Sequence, residues 1–455
     1  MKYSTQVDGY KDGFMHKYIL NFYIITVLFI GGLISSFTFS QKSSTAFLDT
    51  YFQFCKSRTL KSPIKTIRSL PNLEKIYFQD EQVTTVEKRS YVKFAKANPG
   101  NDHTLKNELI VIFPGIFGSA ARIDNAYFFV MDFVRLGYDV LLIPNIWSAE
   151  YISLYGNTIA GNTTKESNLT YLNIQKFFEI KNVFQWKKIH TFSYSYGALL
   201  SLKVKLLDQK KSRFFNGEMI LNNAPFSIKS SLKNMNLYIE RLARNHKEEI
   251  FSKASEAVSA LELCRKLEKK SNGKLFFPLS ELNADLVELE KQAENIVINF
   301  SFKSKLIMLA KILDKKLGVN YFPTKPLLNR NSKSSARRAA SRKKVADFRK
   351  KYQDKIKKLT FARTQHLYFS HIQQEKINEI NLLEALELVE DPSKINLFIT
   401  NNDFILTNDS VLAIRRWARS NPLFNIQFNY RRGHSGLVFD TNSTKNVFSP
   451  IYQQR

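Results

Sequence analysis

Ser193-Tyr194-Ser195-Tyr196-Gly197 is the segment whose residue types and spacing point most directly to chemistry. A short apolar strand pattern, IHTF at 189 to 192, precedes it, and a helical pattern from Gly197 to Leu207 follows. Ser195 therefore falls where a strand turns sharply into a helix. A nucleophilic serine needs such a turn, with small residues two positions before and after it so that neighbouring backbones can approach. Gly197 meets the second requirement, and Ser193 stands where the first glycine is usual. The competing reading is an ordinary helix cap, in which Ser195 only accepts a bond from a backbone amide.

A serine hydroxyl is a poor nucleophile until a base takes its proton. Of the seven histidines, His434 lies in Arg432-Gly433-His434-Ser435-Gly436, directly after the apolar strand pattern FNIQFNY at 424 to 430. His190 sits inside the strand ahead of the turn and is expected to pack rather than react. A base of this kind needs a carboxylate to hold its tautomer and stabilise its charged form. Asp403 fits, three residues beyond the strand pattern INLFIT at 395 to 400 and 31 residues before His434. Taken singly, these residues also read as a solvent-facing histidine and a turn-capping aspartate.

The elements that must position them alternate in type. KIYF (75 to 78) and YVKFAKA (91 to 97) read as two leading strands, followed by the turn residues Asn98 to Asp102. LIVIF (109 to 113) is a continuous apolar run, as in a strand buried on both faces. Helical character over 120 to 136, DVLLIP (139 to 144), a helix over 165 to 180 and EMILNN (218 to 223) continue the rhythm. A strand at 395 to 400, a helix over 409 to 419 and a strand at 424 to 430 resume it. Such βαβ alternation predicts a mostly parallel sheet with helices on both faces and its site at the carboxyl ends of the strands.

The chain order Ser195, Asp403, His434, each behind a strand of a parallel sheet, resembles the α/β-hydrolase superfamily over about 74 to 225 and 395 to 455. The resemblance implies an α/β-hydrolase sheet, with Ser195 as nucleophile, His434 as general base and Asp403 as orienting acid. Pro114-Gly115-Ile116-Phe117-Gly118-Ser119 looks like the superfamily's loop that supplies one oxyanion donor, although Pro114 stands where histidine is usual. The donor is a backbone N–H, so the resemblance assigns the oxyanion hole to the amides of Ile116 and Tyr196.

Residues 226 to 394 break the alternation with long Lys- and Glu-rich helical patterns, read as a cap inserted into the sheet domain. Within them, 330 to 358 carries thirteen Lys or Arg against two Asp, a net of +11. The whole chain has a formal charge of +28, which favours anionic partners such as phospholipid headgroups. Residues 19 to 39 form an uncharged run of 21, long enough to cross a bilayer as a helix. The expected layout is an anchor or signal sequence over 1 to 45, the sheet domain over 46 to 225 and 395 to 455, and the cap over 226 to 394. The chain is then a single-pass membrane protein or, if the segment is cleaved after Ser40, an exported one. The basic residues flanking the run are balanced and set no orientation.

Two cysteines, Cys55 and Cys264, make no disulfide framework and no metal cluster. With no G-x-x-x-x-G-K-[ST] loop and no His or Cys pair at ligand spacing, neither metal nor cofactor is expected. Two functions compete. One is a serine hydrolase acting on carboxylic esters, of lipid or other hydrophobic acyl type. The other is a non-catalytic protein of the same fold that binds anionic lipid or nucleic acid through its basic insertion, nucleic acid being the weaker expectation.

Overall fold

The computed structural model describes residues 47, 74–78, 90–98, 104–118, 126–245, 262–264, 266–267, 284–326, 335–369, 381–429 and 433–434. The apolar run at 109 to 113 becomes β3 (Glu108–Phe113), buried from Leu109 onward. Its side chains divide by parity. Ile110 and Ile112 join one core with Phe129, Val130 and Phe133 of α1 (Ala126–Arg135). Leu109, Val111 and Phe113 join another with Ile174, Phe177 and Phe178 of α3 (Thr163–Lys181). A strand apolar on both faces belongs in the middle of a sheet covered on both sides.

β3 is such a strand, paired in parallel with β4 (Asp139–Leu142) and with β5 (Lys188–Tyr194). Parallel pairing continues through β6 (Met219–Asn222), β7 (Ile395–Thr400) and β8 (Asn425–Asn429). On the other side β2 (Ser90–Ala95) runs antiparallel to both β4 and β1 (Glu74–Phe78). The eight strands lie in the order β1-β2-β4-β3-β5-β6-β7-β8. Between them run α2 (Ala149–Tyr155), α4 (Tyr196–Gln209) and α11 (Asn408–Ser420).

Between β6 and β7 the chain leaves the sheet for α5 (Ile228–Asn245), α6 (Ala284–Asn295), a π-helical stretch over Ile296–Lys303, and α7 (Ser304–Leu317). Then follow α8 (Ser335–Lys357), α9 (Phe361–Tyr368) and α10 (Leu382–Glu387). Asp314 closes the turn after α7, accepting bonds from the amides of Tyr321 (2.7 Å) and Phe322 (3.1 Å) and from the Tyr368 hydroxyl (3.2 Å). This insertion rests on the sheet domain through Lys316 Nζ, which bonds the carbonyls of Ser153 and Leu154 at 3.0 and 2.8 Å. Asn157 Nδ2 completes the contact by donating to Tyr368 O (2.6 Å).

α8 carries most of the basic run. Val345, Phe348, Tyr352 and Ile356 form its half-buried stripe, while nine lysines and arginines from Arg342 to Lys358 are exposed beside Asp347 and Asp354.

Two sequence expectations change, the end of β5 and the state of Cys264. β5 runs two residues further than the apolar pattern, through Ser193 and Tyr194. Of the helix expected over 120 to 136, the part over 120 to 125 lies outside the described residues and the rest forms α1. Cys264, one of two cysteines from which no disulfide framework is expected, is disulfide-bonded. The segment 19 to 39 lies outside the described residues, among which no helix is long and apolar enough to cross a membrane.

Candidate active site

β5 ends at Tyr194 and α4 begins at Tyr196, so Ser195 alone makes the turn, at φ 54° and ψ −135°. That conformation costs a non-glycine residue on the order of 1–3 kcal/mol and persists only where the surroundings dictate it. The Ser195 amide donates to Asn222 O (2.8 Å), and Ser195 O receives Ala198 N (2.9 Å). Its side chain caps no amide of α4, which removes the helix-cap reading.

Packing explains the small residues on either side. A Cβ on Gly197 would lie 2.3 Å from both Phe113 O and Pro114 O, so only glycine lets α4 start this close to the end of β3. Ser193 takes the other position because its hydroxyl is satisfied, donating to Ile220 O (2.8 Å) and accepting from Ser201 Oγ (2.9 Å).

Gly115 lies against the nucleophile, since a Cβ there would sit 3.1 Å from Ser195 Cβ and 3.5 Å from Ser195 Oγ. The loop is a tight turn, closed by Gly118 N donating to Gly115 O (2.9 Å), with Phe117 at φ 66°. Asn145 anchors it, its Nδ2 donating to Pro114 O (3.1 Å) and its amide to Gly118 O (3.0 Å). Among the described residues no backbone carbonyl takes the Ile116 N–H.

On the far side of β6, Asp403 and His434 form a buried pair. His434 Nδ1 is 2.9 Å from each Asp403 oxygen, and both side chains are fully out of solvent. The carboxylate is held by two further donors, Ile405 N (2.8 Å) and Asn223 Nδ2 (2.5 Å). Gly433, at φ 61°, bends the chain before His434 and donates its amide to Asn402 Oδ1 (3.0 Å). Phe404 lies beside the imidazole at 5.3 Å between ring centroids and stacks on Phe47 at 4.6 Å.

Ser195 and Asp403 follow strands separated by β6 alone, two strand spacings or roughly 10 Å. Asn222 and Asn223 bridge that interval, one through Ser195 and the other through Asp403. The structure thus joins His434 to Asp403 and sets Ser195 against Gly115, with no hydrogen bond from Ser195 Oγ to His434 Nε2. His190 packs as expected, buried, with Nε2 3.1 Å from Glu108 Oε2 and Nδ1 accepting from Glu218 N (2.9 Å).

Sequence reasoning missed Asn223 and Glu166. Asn223 has φ 48°, a left-handed conformation that asparagine tolerates better than most residues, so an Asn-Asn pair ending a strand was a weak signal. Glu166 gave none: it is fully buried and accepts the Tyr196 hydroxyl. Burial lifts its carboxyl to about 7, against the lowering pull of Tyr196, the Gly161 amide, Lys203 and Trp147. Among the described residues no group of His, Cys, Asp or Glu could hold a metal ion.

The strand order, with its antiparallel second strand, and the serine on a strained strand-to-helix turn define an α/β-hydrolase fold. No protein family matches the chain by sequence, and no curated protein matches it. Solved structures similar in shape include a thermostable carboxyl esterase from Bacillus coagulans, with 12% identity and a TM-score of 0.40 over 84% of this chain and 97% of the other. A putative hydrolase from Rickettsia typhi shows 13% identity and a TM-score of 0.39, over 84% of this chain and 99% of the other. An esterase from Pyrococcus furiosus shows 10% identity and a TM-score of 0.40, over 86% of this chain and 94% of the other. Likeness at this level is one of chain path and carries no reading of activity.

Proposed function

We propose that this chain is a serine hydrolase that cleaves carboxylic esters through an acyl-enzyme. The observation that carries the reading is the buried Asp403–His434 pair, on the same sheet edge as a serine whose backbone is held in a left-handed conformation. Asp403 accepts the Nδ1 proton, which leaves Nε2 of His434 as the basic nitrogen. Ser195 Oγ attacks the acyl carbon as its proton passes to His434, which then protonates the leaving alcohol; water reverses the sequence and frees the acid. The amides of Ile116 and Tyr196 are the proposed donors to the oxyanion. For this chemistry His434 must come within hydrogen-bond reach of Ser195 Oγ, a contact that often tightens only when substrate binds.

A hydrophobic acyl group suits the aromatic packing that begins at Phe117 beside the oxyanion loop. Phe117 contacts Phe302 of the π-helical stretch at 5.5 Å, Phe302 stacks on Phe361 at 5.4 Å, and Trp147 meets Phe369 at 5.2 Å. The run at 19 to 39 and the exposed cations of α8 suit a protein held at an anionic membrane. Those same cations favour the second reading, a binding protein without catalysis.

Turnover of short p-nitrophenyl esters separates the two. The hydrolase reading expects turnover in the wild type that Ser195→Ala abolishes. Equal rates in both would assign the chemistry elsewhere.

A further inference from the structure

We infer that Glu166 is a positioning residue for the proposed oxyanion hole: it holds the Tyr196 phenol and so fixes the first turn of α4, from which the Tyr196 backbone N–H projects. The inference rests on the hydrolase reading and deepens it, since it assigns a role to a buried acid that the triad does not use.

Glu166 has no contact with solvent and Tyr196 almost none, at 0% and 4% exposure. A carboxylate taken wholly out of water carries a desolvation penalty of several kcal/mol unless its oxygens are matched by donors. Here both are matched. One oxygen accepts the Gly161 amide (2.5 Å) and the other accepts the Tyr196 hydroxyl, 30 residues further along the chain. Capping of α3 does not account for this arrangement, because Asn162 is already the N-cap of that helix and accepts Lys165 N (3.0 Å). The second oxygen is committed to a residue of another helix, the one adjoining the nucleophile.

The linkage matters because of where Tyr196 stands. As the first residue of α4, its N–H has no acceptor within the helix and points along the first turn. Gly197, pressed against Phe113 O and Pro114 O, fixes one side of that turn, and the phenol held by Glu166 fixes the other. The charged and polar groups acting on the carboxylate are the Tyr196 phenol and Lys203 of α4, the Gly161 amide and the Trp147 indole. Gly161 and Asn162 end the loop that begins at Asn157, through which the insertion is hydrogen-bonded. The same carboxylate therefore ties the elbow to a loop that is hydrogen-bonded to the insertion.

The test uses steady-state hydrolysis of a p-nitrophenyl ester by the full chain and by Glu166→Ala, Glu166→Gln, Tyr196→Phe and the Glu166→Ala/Tyr196→Phe pair, with thermal midpoints alongside. A misdirected donor should lower kcat on the order of tenfold in Glu166→Ala and in Tyr196→Phe, less than the 10²–10³ lost when a donor is removed outright. KM should stay within about twofold, because the contact acts on the transition state. The double variant should be no slower than either single one, since the two residues act as one unit. Glu166→Gln keeps the shape and can bond both partners if the phenol reverses its role, so it should recover most of kcat. Lowered midpoints with unchanged kcat, or losses that multiply in the double variant, would overturn the inference and leave the hydrolase reading intact. A folded wild type with no turnover would overturn both.

Discussion

Ser195 occupies a backbone conformation that repels a side chain, and Phe117 and Asn223 do the same at the ends of the neighbouring strands β3 and β6. Positive φ recurs at Asn107, Asn182 and Arg213 ahead of the same strands, but at Ser195 the strain falls on the residue to which the chemistry is assigned. Ser195→Ala deletes only Oγ, so ester turnover should vanish while the thermal midpoint stays close to wild type. His434→Ala should match that loss and the double variant should add nothing, because nucleophile and base act as a unit. Gly197→Ala is different in kind. Its methyl group would meet two backbone carbonyls at 2.3 Å, which cannot yield as side chains do. Destabilisation of about 1–3 kcal/mol, typical of overpacking, should appear in denaturant titration.

Glu166 gives a further expectation, on stability. Burial raises its carboxyl to about 7, so the native state keeps a proton that the unfolded chain releases near the ordinary carboxylate value of 4.5. The stability this group contributes is fully present below pH 4.5 and is lost as pH rises through about 7. The loss is on the order of 3 kcal/mol. Glu166→Gln stays neutral, so the wild-type midpoint should fall relative to Glu166→Gln between pH 4.5 and 7 and run parallel above that window. A constant gap across the range would mean that Glu166 titrates alike in the folded and unfolded states.

Among the elements, strands were the most legible because buried parallel strands leave unbroken apolar runs, as LIVIF does in β3. The end of β5 was not, since Ser193 and Tyr194 are polar by type yet buried by a hydroxyl network and by aromatic packing on α1. Ser195, Asp403 and His434 stood out because they follow strands. Asn223 and Glu166 stayed hidden, because their roles exist only where β6 meets β7 and where α3 meets α4. The charge of the basic run was plain from composition, but its half-buried stripe of Val345, Phe348, Tyr352 and Ile356 needs a helix docked on Lys311 and Phe322. Each exposed cation near an anionic surface contributes on the order of 1 kcal/mol. A form lacking residues 1–45 should therefore bind anionic vesicles more tightly than neutral ones. Replacing Arg342, Lys343 and Lys344 with Gln, or raising salt, should weaken that binding. Equal binding in every case would leave α8 as a solvated helix.

For the molecule as a whole, one sheet edge collects the loops after β3, β5, β6, β7 and β8, and the insertion after β6 rests beside it through Lys316 and Asn157. The proposed hydrolase chemistry at that edge rests on one reactive serine, Ser195, whatever ester it meets. Fluorophosphonate labelling of the intact, detergent-solubilised protein, followed by peptide mapping, tests this most directly. One adduct is expected, on Ser195, absent from Ser195→Ala and strongly reduced in His434→Ala. An adduct on another residue, or none on a folded wild-type protein, would contradict it.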